Sequence, residues 1–140
     1  MDVAIDRLMM ASFLQYTLPG SPSLYYGDEA GMEGHKDPFN RRTYPWGREN
    51  RILLEFFRQL GQLRKECDAL RLGDIEFTYA TDHRLTYVRR YNGKTVRVYV
   101  NRNMDAWDIP AGRLLMGHNL RTVAPNWLSL APQGFCVVED

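Results

Sequence analysis

The apolar periodicity of this chain changes once, near residue 72, and that change limits the folds open to it. Before it, hydrophobic residues recur at three-to-four spacing. Ile5, Leu8, Met9, Phe13 and Tyr16 do so within residues 2–17, and Leu53, Phe56, Phe57, Leu60, Leu63 and Cys67 within residues 49–67. Each set forms one stripe, the pattern of an amphipathic helix. Asp2 and Asp6 suit the start of the first helix, Glu49 is expected in the first turn of the second, and Arg64 and Lys65 fall in its last turn, as the helix dipole favours. Gly61 weakens the second helix by about 1 kcal/mol relative to alanine. After residue 72 the period becomes two. Ile75, Phe77 and Tyr79 alternate along one strand, Leu85, Tyr87 and Arg89 share a face with Val88 opposite, and Val96, Val98 and Val100 alternate again. Asn92-Gly93 joins two of these runs and tolerates positive φ at both positions, as a two-residue hairpin requires. Short runs near Leu114-Leu115 and Phe135-Cys136-Val137-Val138 follow. The pattern predicts a helical, α/β-type part at residues 1–70 and a small antiparallel β-sandwich at 71–140.

Between the two helices the chain carries its least regular stretch. Pro19-Gly20 stops the first helix. Ser23-Leu24-Tyr25-Tyr26 is short, apolar and bounded by Pro22 and Gly27, which predicts a buried strand. Helix, turn and strand make half of an α/β repeat. Residues 28–48 then show no period, and a loop of about 20 residues without regular structure is usually functional. This loop gathers Asp37, Asn40, Arg41, Arg42, Tyr44 and Trp46, planar hydrogen-bonding groups beside aromatic surfaces, as sugar sites use. Asp28 and Glu29 are adjacent carboxylates, but neighbours on an extended segment point to opposite sides. They are poorly placed as the pair that flanks a glycosidic bond at about 5–9.5 Å. Tyr25, Tyr26 and Trp46 are expected to pack, as are Trp107 and Trp127, with exposed platforms the alternative for the last two. His35 is expected to be solvated, and His83 and His118 carry no evident chemistry.

Composition narrows the function classes. The formal net charge is +1, and the basic residues are spread out, so no field draws in nucleic acid or an anionic membrane. No apolar run approaches the roughly 20 residues of a membrane span. Met1-Asp2-Val3 lacks the basic start of a signal peptide. Cys67 and Cys136 have no metal-ligand spacing and read as free thiols, which points to the cytoplasm. There is no phosphate-cradling glycine loop, and no cofactor or metal is expected.

Residues 18–46 carry a specific resemblance. The run Leu18-Pro19-Gly20-Ser21-Pro22-Ser23-Leu24-Tyr25-Tyr26-Gly27-Asp28-Glu29-Ala30-Gly31-Met32, followed by Asp37-Pro38-Phe39-Asn40-Arg41 and Tyr44-Pro45-Trp46, resembles the alpha-amylase family of glycoside hydrolases. The Asp-Pro-x-x-Arg spacing is similar to its neopullulanase and cyclomaltodextrinase branch. The resemblance implies the last helix-strand-helix of a (β/α)8 TIM barrel, with the long loop on the face where such barrels build their active sites. A whole barrel needs about 250 residues, and this chain has 140. The family's aspartate nucleophile and glutamate acid/base lie on earlier strands, and the asparagine-histidine-aspartate signature is missing here too. The implied catalytic set within this chain is therefore empty, and the isolated chain is expected to be inactive. The resemblance implies that Asp37 and Arg41 bind a glucose unit of a maltooligosaccharide or other α-glucan, although two such residues four apart can also pair to pin a loop. The implied partners are the remainder of the barrel and the substrate, with self-association through the edges of the lone strand. A carbohydrate-binding or docking β-domain without catalysis, or a subunit completing another chain's site, are the rival readings.

Overall fold

The computed structural model describes residues 3–33 and 43–140. Three helices precede six strands: α1 Val3–Thr17, α2 Arg51–Glu66, α3 Asp68–Leu72, then β1 Asp74–Ala80, β2 Arg84–Tyr91, β3 Lys94–Asn101, β4 Trp107–Pro110, β5 Arg113–Ala124 and β6 Trp127–Glu139. The change of period is thus a change of structure. No helix among the described residues is long and apolar enough to cross a membrane.

The strands form one antiparallel sheet in the order β1-β2-β3-β6-β4, with β5 along the other side of β6. The Asn92-Gly93 turn sets the β2–β3 register, with φ of 51° and 79°, so that Tyr87 faces Val98 and Val98 faces Val137. That row, with Val96, Val100 and Phe135, makes a sheet face on which the helices lie. From α1 come Met9, Met10 and Phe13, and from α2 come Leu53, Phe56, Phe57 and Leu60. Phe13 meets Phe135 at 4.5 Å between ring centroids, and Phe56 meets the same ring edge-on at 5.9 Å. Burying each such side chain contributes about 2–3 kcal/mol.

A second core lies on the other face. β6 changes neighbours along its length. Its first part pairs with β4 at Trp127–Leu130 and its second with β3 at Gly134–Glu139. Gln133, between them, has φ 64°. Leu128 and Leu130 from the first part pack with Ile109, Tyr99, Cys136 and Val138. Cys136 is enclosed there, and burial pushes its thiol up to about 12.

The helical and sheet parts are joined by polar contacts inside the first core. Arg89, 1% exposed, donates to Thr17 O at 2.6 Å, Gly73 O at 2.9 Å and Asp74 O at 2.9 Å. Thr17 donates to Phe13 O and is hydrogen-bonded to the Tyr87 hydroxyl. Arg64 of α2 donates to Tyr16 O at 2.8 Å and also to Gly20 O.

Several expectations change, among them that Trp127 packs, since it is exposed. Residues 21–26 belong to no strand among the described residues, and Leu24, Tyr25 and Tyr26 are exposed. The sequence carries the apolar run of a buried strand, but the sheet of this chain is built wholly from residues after 73 and offers it no place. Glu49 lies before the α2 N-cap, Asn50, whose Oδ1 accepts from Leu53 N at 3.1 Å. The asparagine satisfies a first-turn N–H that would otherwise go unbonded, and so fixes the start. Phe77 and Tyr79 do not share a face, because the β1–β2 register shifts between them. The extra residue, Thr78, is a β-bulge. Trp46 does not pack into a core. It is 81% exposed, with its ring 4.7 Å from that of Tyr44.

Replacing Arg89 with methionine keeps the apolar stem and leaves its three carbonyl partners without a donor. The expected loss is about 3 kcal/mol of folding stability, read as a lower urea midpoint at unchanged slope. A loss under about 1 kcal/mol would show that water or other donors replace the guanidinium.

Candidate functional site

The candidate loop leaves and rejoins the fold at one pinned base. Gly27 and Gly31 hold φ of 94° and 76°, and between them Asp28–Ala30 forms one 3-10 turn. A Cβ at Gly27 would lie 2.2 Å from Met32 Sδ, so both backbone conformation and space call for glycine there. Met32 N bonds back to Gly27 O at 3.0 Å. Asn50 N donates to Ala30 O at 2.9 Å while its side chain caps α2. One residue therefore ties the 3-10 turn before the loop to the helix that follows it, and Ala30 is buried at the joint.

The acidic pair sits on this turn. Asp28 is held above the ordinary carboxylate range, first by burial and then by the neighbouring charge of Glu29. The Tyr44 phenol neighbours Glu29, whose Oε2 is buried without a hydrogen-bond partner among the described residues. The Tyr44 phenol is in turn raised, by burial first and then by the charges of Glu29 and Glu49. The 3-10 turn replaces the extended geometry expected for Asp28 and Glu29. Their arrangement with Tyr44 closes the loop base on itself. No cluster of metal-ligating side chains is found among the described residues.

Asp37 and Arg41, the residues proposed to bind substrate, lie outside the described residues, as do His35, Asn40 and Arg42. Of the loop's aromatic residues, Tyr44 and Trp46 stand together on the returning limb. A cleft of about 790 Å³ opens elsewhere, between the end of α2 and the sheet, lined by Gln62, Cys67, Tyr91, Arg113 and Leu114 among others. None of the described residues between 18 and 48 lines it.

The sequence reading missed two sets of residues. His118 Nε2 lies 3.1 Å from Asp6 Oδ1, linking β5 to α1 beside Phe56 and Phe135. Nothing in its neighbourhood in sequence foretold this, because its partner is 112 residues away. Arg89 did leave a signal: an arginine stands where Leu85 and Tyr87 set an inward face.

No protein-family model matches the chain. An amylopullulanase of Thermoanaerobacter thermohydrosulfuricus is 50% identical over 94 residues, 66% of this chain and 6% of that enzyme. A cyclomaltodextrinase of Geobacillus thermopakistaniensis is 35% identical over 145 aligned positions, 94% of this chain and 25% of that enzyme. The debranching enzyme of Nostoc punctiforme superposes with a TM-score of 0.82 at 26% identity, over 97% of this chain and 31% of its own. This chain therefore spans a quarter or less of the two curated relatives. Its few helices followed by an antiparallel sheet match a portion of the solved enzyme.

Asp28→Asn tests the loop base. A carboxyl whose folded value is raised supports folding below its unfolded value, 3.8, and loses that contribution as pH rises through the folded value. The asparagine form does not suffer that loss, so its melting temperature should exceed the parent's at pH 7, with the gain gone below pH 3.8. Thermal melts of both proteins across that range decide it, and equal melts at neutral pH would show that Asp28 is solvated.

Proposed function

The chain belongs to the alpha-amylase family, related to amylopullulanase, cyclomaltodextrinase and neopullulanase, and from that premise we propose that it forms one wall of an α-glucan cleft. On this reading residues 1–70 are the closing helix-strand-helix of a (β/α)8 barrel and residues 71–140 a C-terminal β-sandwich that covers it. A second core, formed by Tyr99, Ile109, Leu130, Cys136 and their neighbours, supports the sandwich assignment. The parent enzyme would hydrolyse or transfer α-glucosidic bonds with retention, using carboxylates that this chain does not carry. We place it in the cytoplasm, in keeping with two free thiols.

The observation that carries the proposal is the loop base. The family-like run ends in a turn that two glycines shape and that Asn50, on the far side of the loop, bonds at Ala30. Preorganised positioning of this kind is what a substrate wall contributes to catalysis. Asp37 and Arg41 would hold one glucose unit by charge-assisted hydrogen bonds to its hydroxyls. A structure of the Nostoc punctiforme debranching enzyme soaked with acarbose supports an α-glucan class of ligand for such a cleft.

The test pairs the 140-residue chain with a polypeptide supplying the rest of such a barrel. The chain alone should not turn over a chromogenic maltooligosaccharide, and the pair should. Arg41→Ala in the reconstituted enzyme should lower kcat/KM by about tenfold or more while its melting temperature holds. Turnover by the chain alone that vanishes in the Asp28/Glu29 double variant would move the chemistry into this loop. A neutral Arg41→Ala would remove the substrate role.

A further inference from the structure

The β-bulge in β1 has a chemical consequence on the sheet face away from the helices. Phe77 pairs with Tyr87 and keeps to the helix side, whereas Tyr79, one residue out of step, pairs with Thr86. Thr86 faces Tyr99, a member of the second core. Bulges of this kind re-aim a side chain. Tyr79 arrives 5.8 Å from the Trp107 ring, tilted by 37°, and remains 48% exposed.

Trp107 is held by a network that packing alone would not need. Asn101, fully buried, donates to Asp105 O and Leu130 O at 3.0 Å, and its Oδ1 accepts from Asn103 N and Arg84 Nε. This fixes the turn that leads into β4. Arg84 also donates from Nη2 to Asp105 O and Ala106 O, and its guanidinium lies 5.3 Å above the Trp107 ring centroid. Tyr99 supports the same ring edge-on at 5.6 Å. The result is a rigid aromatic surface bordered by a guanidinium. Among the described residues, Arg84 Nη1 has no protein acceptor.

We propose that Tyr79, Trp107 and Arg84 form a second saccharide site, a surface platform separate from the candidate cleft, that takes a glucose unit of an α-glucan chain. A glucose ring presents a flat face of C–H bonds and a rim of hydroxyls. The open Tyr79 ring meets the face, and Arg84 Nη1 and the Tyr79 hydroxyl meet the rim. The α-glucan identity of the ligand rests on the function proposed above; the existence of a platform rests on the bulge and the Asn101 network.

Affinity electrophoresis of the full chain in gels containing soluble starch, or a β-1,4-linked glucan for comparison, tests both parts. Trp107 lies on the second core and its removal risks the fold, so Tyr79 is the residue to change. Starch should retard the parent and Tyr79→Phe, and Tyr79→Ala should bind about tenfold more weakly with its melting temperature within about 4 °C of the parent's. No retardation in either gel, or starch binding unchanged in Tyr79→Ala, overturns the platform, and the second result leaves the α-glucan reading standing. Retardation that depends on Tyr79 only in the β-glucan gel overturns the ligand assignment and counts against that reading.

Discussion

The C-terminal end of α1 is held by two arginines from outside it, and the joint between helices and sheet depends on them. A helix ends with carbonyls that lack intrahelical donors and with partial negative charge. The last turn of α1 contains no basic residue of its own. Arg64 from α2 donates to Tyr16 O, and Arg89 from β2 donates to Thr17 O. Arg89 also takes the carbonyls of Gly73 and Asp74, where α3 gives way to β1. One guanidinium thus fixes the end of the first helix against the point where the chain changes from helical to extended. Burial lowers the proton affinity of both arginines, and no salt bridge to either compensates among the described residues. Carbonyl dipoles and a helix end do that work, which makes the geometry demanding: each N–H must find its acceptor or a buried charge goes unsolvated.

Much of this was legible because local chemistry and tertiary need agreed. The α2 stripe, the Asn92-Gly93 hairpin and the Val96-Val98-Val100 face emerge as read, since propensity, turn chemistry and burial point the same way at each. The failures have physical causes. Ser23–Tyr26 has strand composition, but a strand also needs a neighbour, and composition does not say whether one is present. Tyr79 reads as a partner of Phe77 because alternation assumes one residue per ladder position, and a bulge at Thr78 breaks that assumption without any glycine or proline to mark it. The second core escaped notice because β6 serves two neighbours in turn, a property of the bend near Gln133 rather than of any hydrophobic pattern. For the candidate site, the glycines and the family-like run pointed to the loop, but Asn50 as the residue that pins it was not foreseen. It reads as an ordinary helix cap until its backbone N–H is seen on Ala30 O.

Both cores of the sheet are closed by residues of this chain, with Phe135, Cys136 and Val137 almost inaccessible between them. Between residues 24 and 52, Leu24, Tyr25, Tyr26, Trp46 and Ile52 keep large apolar surfaces open, as Phe77, Tyr79, Met104 and Trp127 do in the sheet part of the chain. Single exposed aromatics are normal on a soluble protein, but a succession of them along one loop and its flanks is the composition of a covered surface. The same stretch carries the desolvated Asp28 and its neighbour Glu29. A loop base that is pinned in its backbone, apolar on its outside and left with an unpartnered Glu29 oxygen among the described residues has its geometry set before its surroundings are complete. Under the barrel reading proposed above, neighbouring strands would bury those aromatics. The rigidity of the base would be superfluous for a loop that only spans two elements. It is what a wall needs if it must meet surfaces it does not itself build.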